Sequence, residues 1–376
     1  MSALLDHVDP TGLEEFSVVF TDRSLNHMSS TFQGVMNDIS SMLKEVYCAD
    51  AVVLIPGGGT FGMEAVARQF ARNSKALVVR NGWFSYRWSQ IIENGNLTSE
   101  TTVLKAHRKG NESQSPFAPA PIEHVVETIR TEAPDVVFAP HVETSAGIIL
   151  PDSYIKKMAQ AAHEVGAIMV LDCIASGCIW VDMRKLGVDV LISAPQKGWS
   201  ASPAAGLVML SDRAVQRLEN TRSDSFAIDL NKWHQVMKSY ENGGHSYHAT
   251  MPTDALKLFR DTMLETRQYG FQRLKEAQWE LGAEVRKILA TRSITSVAAD
   301  GFGAPGVVVS YTNDPDVQNG KKFAENGVQI AAGVPLQCDE PADFKTFRLG
   351  LFGLDKLYDV AATTNRVRRA LDAAKI

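Results

Sequence analysis

Much that would point this chain toward other classes of protein is missing. No stretch of about 18 consecutive apolar residues occurs, which removes the simplest kind of membrane-spanning helix. The opening residues, Met1-Ser2-Ala3-Leu4-Leu5-Asp6-His7-Val8-Asp9-Pro10, lack the basic start and apolar core of a secretory leader. Cysteine is scarce, at 4 of 376 residues, and Cys48, Cys173, Cys178 and Cys338 show neither CxxC spacing nor a neighbouring histidine cluster. That argues against a disulfide framework and a zinc site, and sets the expectation of reduced thiols, no bound metal and a cytoplasmic location. Positive charge is not in excess: the net charge is −5 and the isoelectric point about 6.0, so neither nucleic acid nor an anionic membrane is expected as a partner. Internal repeats and low-complexity tracts are absent as well.

What is present describes an ordinary globular chain, 45% hydrophobic and 22% charged, long enough for about two domains. After a start with little pattern, Ser30 to Tyr47 carries Phe32, Val35, Met36, Ile39, Met42, Leu43 and Val46 at helical spacing. Continuous apolar runs follow at Ala51 to Ile55, Ala76 to Arg80, Asp135 to Ala139, Ala167 to Asp172, Val188 to Ile192 and Ala205 to Leu210. Such runs suit strands buried on both faces. Helical patterns at Thr60 to Arg72, Ile122 to Glu132 and Asp152 to Val165 alternate with them, which predicts an α/β domain around a mostly parallel sheet. Beyond Pro252 the texture changes. One long helical pattern, Thr253 to Leu289, leads to strands near Gly306 to Tyr311 and Phe344 to Leu351, with helices near Asp316 to Asn326 and from about Leu354. We therefore expect an N-terminal segment (1–23), a large domain (24–267) and a smaller α+β domain (268–376).

Three features carry chemistry. Gly57-Gly58-Gly59-Thr60-Phe61-Gly62 follows a strand and opens a helix, where free N–H groups and the helix dipole favour an anion. It reads either as a tight turn or as a phosphate cup, and it also fits G-x-G-x-x-G, with Arg80 suited to a 2′-phosphate. Asp172 closes a buried strand, as a turn aspartate or as a ligand at the carboxyl edge of the sheet. Lys197, in Pro195-Gln196-Lys197-Gly198-Trp199, lies just beyond another strand; taken alone it reads more simply as a surface lysine in a turn. Asp172 and Lys197 should share one edge of the sheet, and pyridoxal 5′-phosphate suits both. Its pyridinium nitrogen needs a carboxylate, its aldehyde a lysine, and its phosphate a glycine-rich helix start.

Gly58-Gly59-Thr60 with Glu64, Asn81-Gly82, His141-Val142-Glu143-Thr144-Ser145-Ala146-Gly147, Asp172, Gln196-Lys197 and Arg348-Leu349-Gly350 together resemble the class V aminotransferases of fold type I. The resemblance runs from about Ser30 to the C-terminus and is nearest to the alanine–glyoxylate, serine–pyruvate and 2-aminoethylphosphonate transaminases. It implies a large domain with a seven-stranded-type sheet and a small C-terminal domain. It also implies pyridoxal phosphate on a Lys197 Schiff base, with Asp172 at the ring nitrogen. Phe84 is then the aromatic against the ring face, Thr144 the hydroxyl at the ring oxygen, and Gly58, Gly59, Thr60 and Gln196 the phosphate contacts. Arg348 matches the position that binds the substrate carboxylate, a role suited to a guanidinium fork. Tyr247-His248-Ala249-Thr250 resembles the segment that crosses a homodimer to the partner's phosphate, with Thr250 the better match and Tyr247 and His248 competing for one place.

One departure stands out. In place of the family's Pro-Gly-Pro-like start the chain has Phe16 to His27, whose Arg23, Asn26 and His27 read either as substrate-facing groups or as solvated loop residues. The activity implied is ping-pong transfer of an amino group from a small amino acid, such as alanine or serine, to glyoxylate or pyruvate. Two alternatives use the same residues: lyase or desulfurase chemistry with the same cofactor, and an NADP-dependent oxidoreductase built on the glycine pattern and Arg80. The desulfurase reading would need a mobile cysteine, for which Cys338 is the only nearby choice, and histidines where Phe84 and Gln196 stand. The oxidoreductase reading gives Lys197, Asp172 and Arg348 no joint task.

Overall fold

A computed structural model describes residues 8–376; the first part of the expected N-terminal segment, residues 1–7, lies outside the described residues. Helix α1 (Ser30–Tyr47) starts where the Ser29 hydroxyl accepts the Phe32 N–H at 3.1 Å, and stops where Cys48 turns left-handed at φ 54°. Its apolar stripe is buried except for the half-buried Val46, and each fully buried side chain contributes roughly 1.5–3 kcal/mol of transfer free energy.

The six apolar runs and one strand not expected from the sequence, Thr101–Lys105, form one sheet: β1 (Ala51–Pro56), β2 (Ala76–Arg80), β3 (Thr101–Lys105), β4 (Val136–Pro140), β5 (Ile168–Asp172), β6 (Val190–Ser193) and β7 (Ala205–Leu210), in the spatial order β1-β7-β6-β5-β4-β2-β3. Strands β3, β2, β4, β5 and β6 pair in parallel, their crossovers supplied by helices such as α2 (Gly59–Phe70), α3 (Trp83–Asn94), α4 (Ile122–Glu132) and α5 (Asp152–Glu164). The segment joining β6 to β7 contains no helix, so β7 returns antiparallel, as does its pairing with β1. Because β1 opposes β7 and β7 opposes β6, β1 runs parallel to the rest. The residues after β1, β2, β4, β5 and β6 therefore all emerge at one edge. Helices on both faces explain why these strands lack polar alternation.

The expected long helix is two. Thr253–Tyr269 and Phe271–Ala290 are separated by Gly270, whose φ of 106° no helix accommodates. Beyond it, β8 (Val307–Tyr311), β9 (Ala331–Ala332) and β10 (Thr346–Gly350) form a smaller antiparallel sheet in the order β8-β10-β9. The helix expected near 316–326 is likewise two short turns, Pro315–Gln318 and Lys321–Ala324, and the terminal one breaks into Leu354–Leu357 and Val360–Ala373. No helix of the described residues is long and apolar enough to cross a membrane.

Candidate active site

The glycine run leaves β1 and becomes the first turn of α2. Gly58, the N-cap, offers no side chain to the helix start, and a methyl placed there would meet open space. Gly59 has no such freedom: Ile174, just past Asp172, would lie 2.5 Å from an added Cβ. The first N–H groups of α2 thus face outward uncapped beside the Thr60 hydroxyl, which accepts a hydrogen bond from Arg87 Nη1 at 3.0 Å. This is the geometry of an anion cup.

Asp172, 7% exposed at the end of β5, accepts one hydrogen bond, from the Ile174 N–H to Oδ1 at 2.9 Å; among the described residues none reaches Oδ2. Burial pushes its carboxyl up to about 7, with the nearby Glu143 adding to the rise and Lys197 and Arg87 opposing it. Lys197 leaves the loop after β6. Its turn is pinned from three sides: the Ser200 N–H donates to the Lys197 carbonyl, the Ser200 hydroxyl accepts the Leu354 N–H, and Gly198 lies flush on the Gly177 carbonyl. The ammonium makes no hydrogen bond to the described residues and sits 5.3 Å from the centre of the Phe352 ring. Burial lowers its pKa; Asp172 opposes that, while Arg348 and Arg87 reinforce it. An amine so placed loses its proton more readily than a surface lysine.

The residue that organises the opposite wall carried no assigned role in the sequence reading. Glu143, wholly buried, accepts from the N–H groups of Phe84 (3.2 Å), Ser85 (2.9 Å) and Ser145 (3.0 Å) and from the hydroxyls of Ser85 (2.6 Å) and Ser145 (2.7 Å). It thereby caps α3 from a distant part of the chain. Gly82 permits this approach, since an added Cβ would lie 2.2 Å from the Ser145 hydroxyl. Phe84 is held at the helix start, with the guanidiniums of Arg87 and Arg348 at 4.8 and 5.5 Å from its ring centre. Arg348 is anchored by its Nε, which donates to the Ala332 carbonyl at 2.8 Å; burial depresses its pKa. Arg87 also escaped the sequence reading: its position in Asn81-Gly82-Trp83-Phe84-Ser85-Tyr86-Arg87, one helical turn past Phe84, is the signal that could have found it.

The structure thus gathers Thr60, Phe84, Asp172, Lys197 and Arg348, joined by Arg87 and Glu143. Thr144 lies in the same turn as Glu143, and Gln196 is exposed beside Lys197. Other candidates sit elsewhere. Tyr247 and Thr250 share a 3.1 Å hydroxyl–hydroxyl contact on an exposed loop, whereas His248 is turned inward, bonded to the Phe226 carbonyl and packed on Trp233. The Asn26 amide is spent on Glu15 and Ser17 within its own segment, and buried His27 packs against Phe20, His245 and Tyr247, not against the Lys197 group. Arg23 is exposed.

The oxidoreductase reading and the desulfurase half of the other alternative lose their footing. Arg80 does not present itself to a 2′-phosphate: it is buried, donates to Ser89 and the Gln337 carbonyl, and stacks on Tyr86. Cys338 is buried with its thiol on the Arg80 carbonyl, and burial pushes it up to about 12, so it is neither mobile nor a thiolate near neutrality.

The residues fit pyridoxal phosphate on this structure's own terms: an uncapped helix start with open space at Gly58, a buried carboxylate with a free oxygen, and a half-buried amine without a partner. Comparison with known proteins points the same way. Residues 14–342 match the family described as aminotransferase class-V. The chain is 25% identical to alanine–glyoxylate aminotransferase 1 of Saccharomyces cerevisiae, over 83% of this chain and 82% of that one. It is 26% identical to the 2-aminoethylphosphonate–pyruvate transaminase of Paraburkholderia phymatum, over 92% and 89%. The crystal structure of an alanine–glyoxylate aminotransferase from Nostoc superposes with a TM-score of 0.78 at 18% identity, covering 94% of this chain and 89% of the other, which shows the shared fold.

Proposed function

The chain belongs to the class-V aminotransferases, a pyridoxal-phosphate-dependent family with the fold type I architecture, and from that premise we propose which of its residues do the work and on what substrates. The enzyme is an aminotransferase; its reaction, in this reading, moves the amino group of a small amino acid such as alanine or serine to a 2-oxo acid such as glyoxylate or pyruvate. The observation that carries the reading is the convergence of an unpartnered lysine, a buried half-satisfied carboxylate, an uncapped helix start and an anchored arginine at one sheet edge.

When bound, pyridoxal phosphate supplies an aldehyde that takes up amino groups and a ring that accepts the electrons of the substrate's α C–H bond. The protein's part follows from its side chains. Gly58, Gly59, Thr60 and Gln196 would hold the phosphate, and Arg87, bonded to Thr60, adds a cation to that cup. Asp172 would hold a proton between its free oxygen and the ring nitrogen. Phe84, whose N–H is held by Glu143, would flank the ring, and Thr144 would offer its hydroxyl to the ring oxygen. Arg348 receives the substrate carboxylate. Lys197, whose amine burial makes easier to deprotonate, would hold the cofactor between turnovers and carry the α-proton during them.

The enzyme acts as a homodimer in this reading, which the exposed Tyr247–Thr250 pair supports, since beyond their contact with each other neither hydroxyl has a hydrogen-bond partner among the described residues. Asn26 and His27 travel with that loop, so their contribution would go to the partner's site. The division into a large domain to about residue 267 and a small one after it is part of the same proposal.

The test is a half-reaction without acceptor. Each small amino acid is mixed with holoenzyme and its oxo acid counted; one equivalent per subunit, then none until an acceptor is added, is expected of ping-pong transfer. Continuing release with ammonia would mean elimination, and no oxo acid from any small amino acid would remove the substrate class.

A further inference from the structure

Away from Lys197, the helix Phe271–Ala290 and the hairpin Val142–Ile149 flank a cavity of about 690 Å³. None of Lys197, Asp172, Thr60, Phe84 or Arg348 lines it. Small-molecule sites typically span about 300–1,000 Å³ with mostly apolar walls and a few convergent polar groups. Here Ile149, Leu289 and Ile294 supply apolar wall, and Trp279, 42% exposed, adds its indole.

The polar groups have one character. His141, 1% exposed, bonds Ser176 through Nδ1 at 2.7 Å, and among the described residues nothing bonds its Nε2. Burial, with the Lys275 ammonium nearby, pulls this imidazole down to about 3, so it stays neutral. In the tautomer whose Nδ1 accepts from the Ser176 hydroxyl, the single ring proton sits on Nε2 as a donor toward the cavity. Lys275 is half-buried, and no carboxylate of the described residues lies within ion-pairing distance. Arg286 is turned onto the Gly147 and Ala304 carbonyls and likewise has no acidic partner among them. The cavity's two acids, Asp152 and Asp300, are both solvent-exposed. A cation left without a counter-ion beside a buried N–H donor and an apolar wall is a recognition pattern for an amphipathic anion.

We propose that this cavity is a second binding site, for a small organic carboxylate with an apolar or aromatic body. The carboxylate meets Lys275 and His141 Nε2–H, and the body lies along Ile149, Leu289 and Trp279. The distinguishing experiment is calorimetric titration of naphthoate into holoenzyme carrying Arg348→Ala, which removes the carboxylate partner proposed for the Lys197 site. Saturable binding of one naphthoate per subunit is expected. Adding Lys275→Glu should weaken it at least about ten-fold, the scale of losing a charge partner, and so should Ala283→Trp, which fills the cavity from its exposed side. Turnover of the two single variants at saturating substrate should stay within about two-fold of wild type, as expected of surface positions away from the chemistry. Absence of saturable binding, or affinity unchanged in Lys275→Glu, would overturn the proposal.

Discussion

Two carboxylates lie buried at the same edge of the sheet, and the fold treats them oppositely. Glu143 receives five hydrogen bonds from the start of α3 and its own turn; Asp172 receives one. The first arrangement answers the desolvation of a buried acid with donors and yields a rigid joint. The second leaves the cost standing, beside an amine that also has no partner. Hydrogen-bond accounting thus separates the residue that builds the wall from the residues kept available for a ligand, although sequence position and burial make the two acids look alike.

The contrast breaks most sharply at the amine. Lys197→Ala should reduce turnover by about 10⁴-fold, the upper range for a proton-transferring group, while leaving the melting temperature unchanged or higher, because a costly buried amine has been removed. A matching loss of fold would make Lys197 structural. Asp172→Asn comes next, with turnover down by about 10²–10³-fold, the scale of one preorganised electrostatic partner. It also carries a stability signature in cofactor-free protein. The folded pKa is about 7 against a reference near 3.8, so the folded state resists ionisation and loses stability as pH rises between those values. His141, held near 3, contributes the opposite slope over much of that range, so the signature is the difference: urea midpoints of Asp172→Asn should rise relative to wild type between about pH 4 and pH 7.

Glu143→Gln probes the other acid. A glutamine amide keeps one oxygen and would turn an NH2 donor toward either the Ser85 or the Ser145 N–H group, so roughly 1–3 kcal/mol of stability should be lost, read as a lower urea midpoint at neutral pH. If Asp172→Asn destabilised the protein more than Glu143→Gln did, the division between wall and chemistry would be wrong. The smallest effect belongs to Cys338→Ala: buried and protonated, this thiol has no chemical task here, and steady-state turnover should change by no more than about two-fold.

Much of this architecture could be read from local pattern. Six of the seven strands of the large sheet announced themselves as apolar runs, whereas the edge strand β3, opening on two threonines and only partly buried, did not; α1 and α4 fall where their spacing placed them because each buries a periodic face. Helix α3 was not legible: it opens with Trp83 and Phe84 and takes its cap from Glu143, far along the chain, so nothing local marks its start. Helix Leu230–Glu241 was passed over as well, although Leu230, Trp233, Val236, Met237 and Tyr240 bury one face at helical spacing. In the site, Lys197, Asp172 and the glycine run could be named because their residue types suit one cofactor, while Thr60, Phe84 and Arg348 were named through the family resemblance. Arg87 and Glu143 could not be given roles, since their partners are decided by folding. Asn26 and His27 show the converse, polar residues with the right look whose hydrogen bonds and packing are taken up within their own segment and the Tyr247 loop.

The central claim is that Lys197 is the residue that holds the cofactor. Borohydride reduction of the yellow holoprotein, followed by proteolysis and mass spectrometry, tests it directly. The account predicts one covalently attached cofactor per subunit, on the peptide containing Lys197, with the visible band abolished; a label on another lysine, or none in a protein that still turns over, would contradict it.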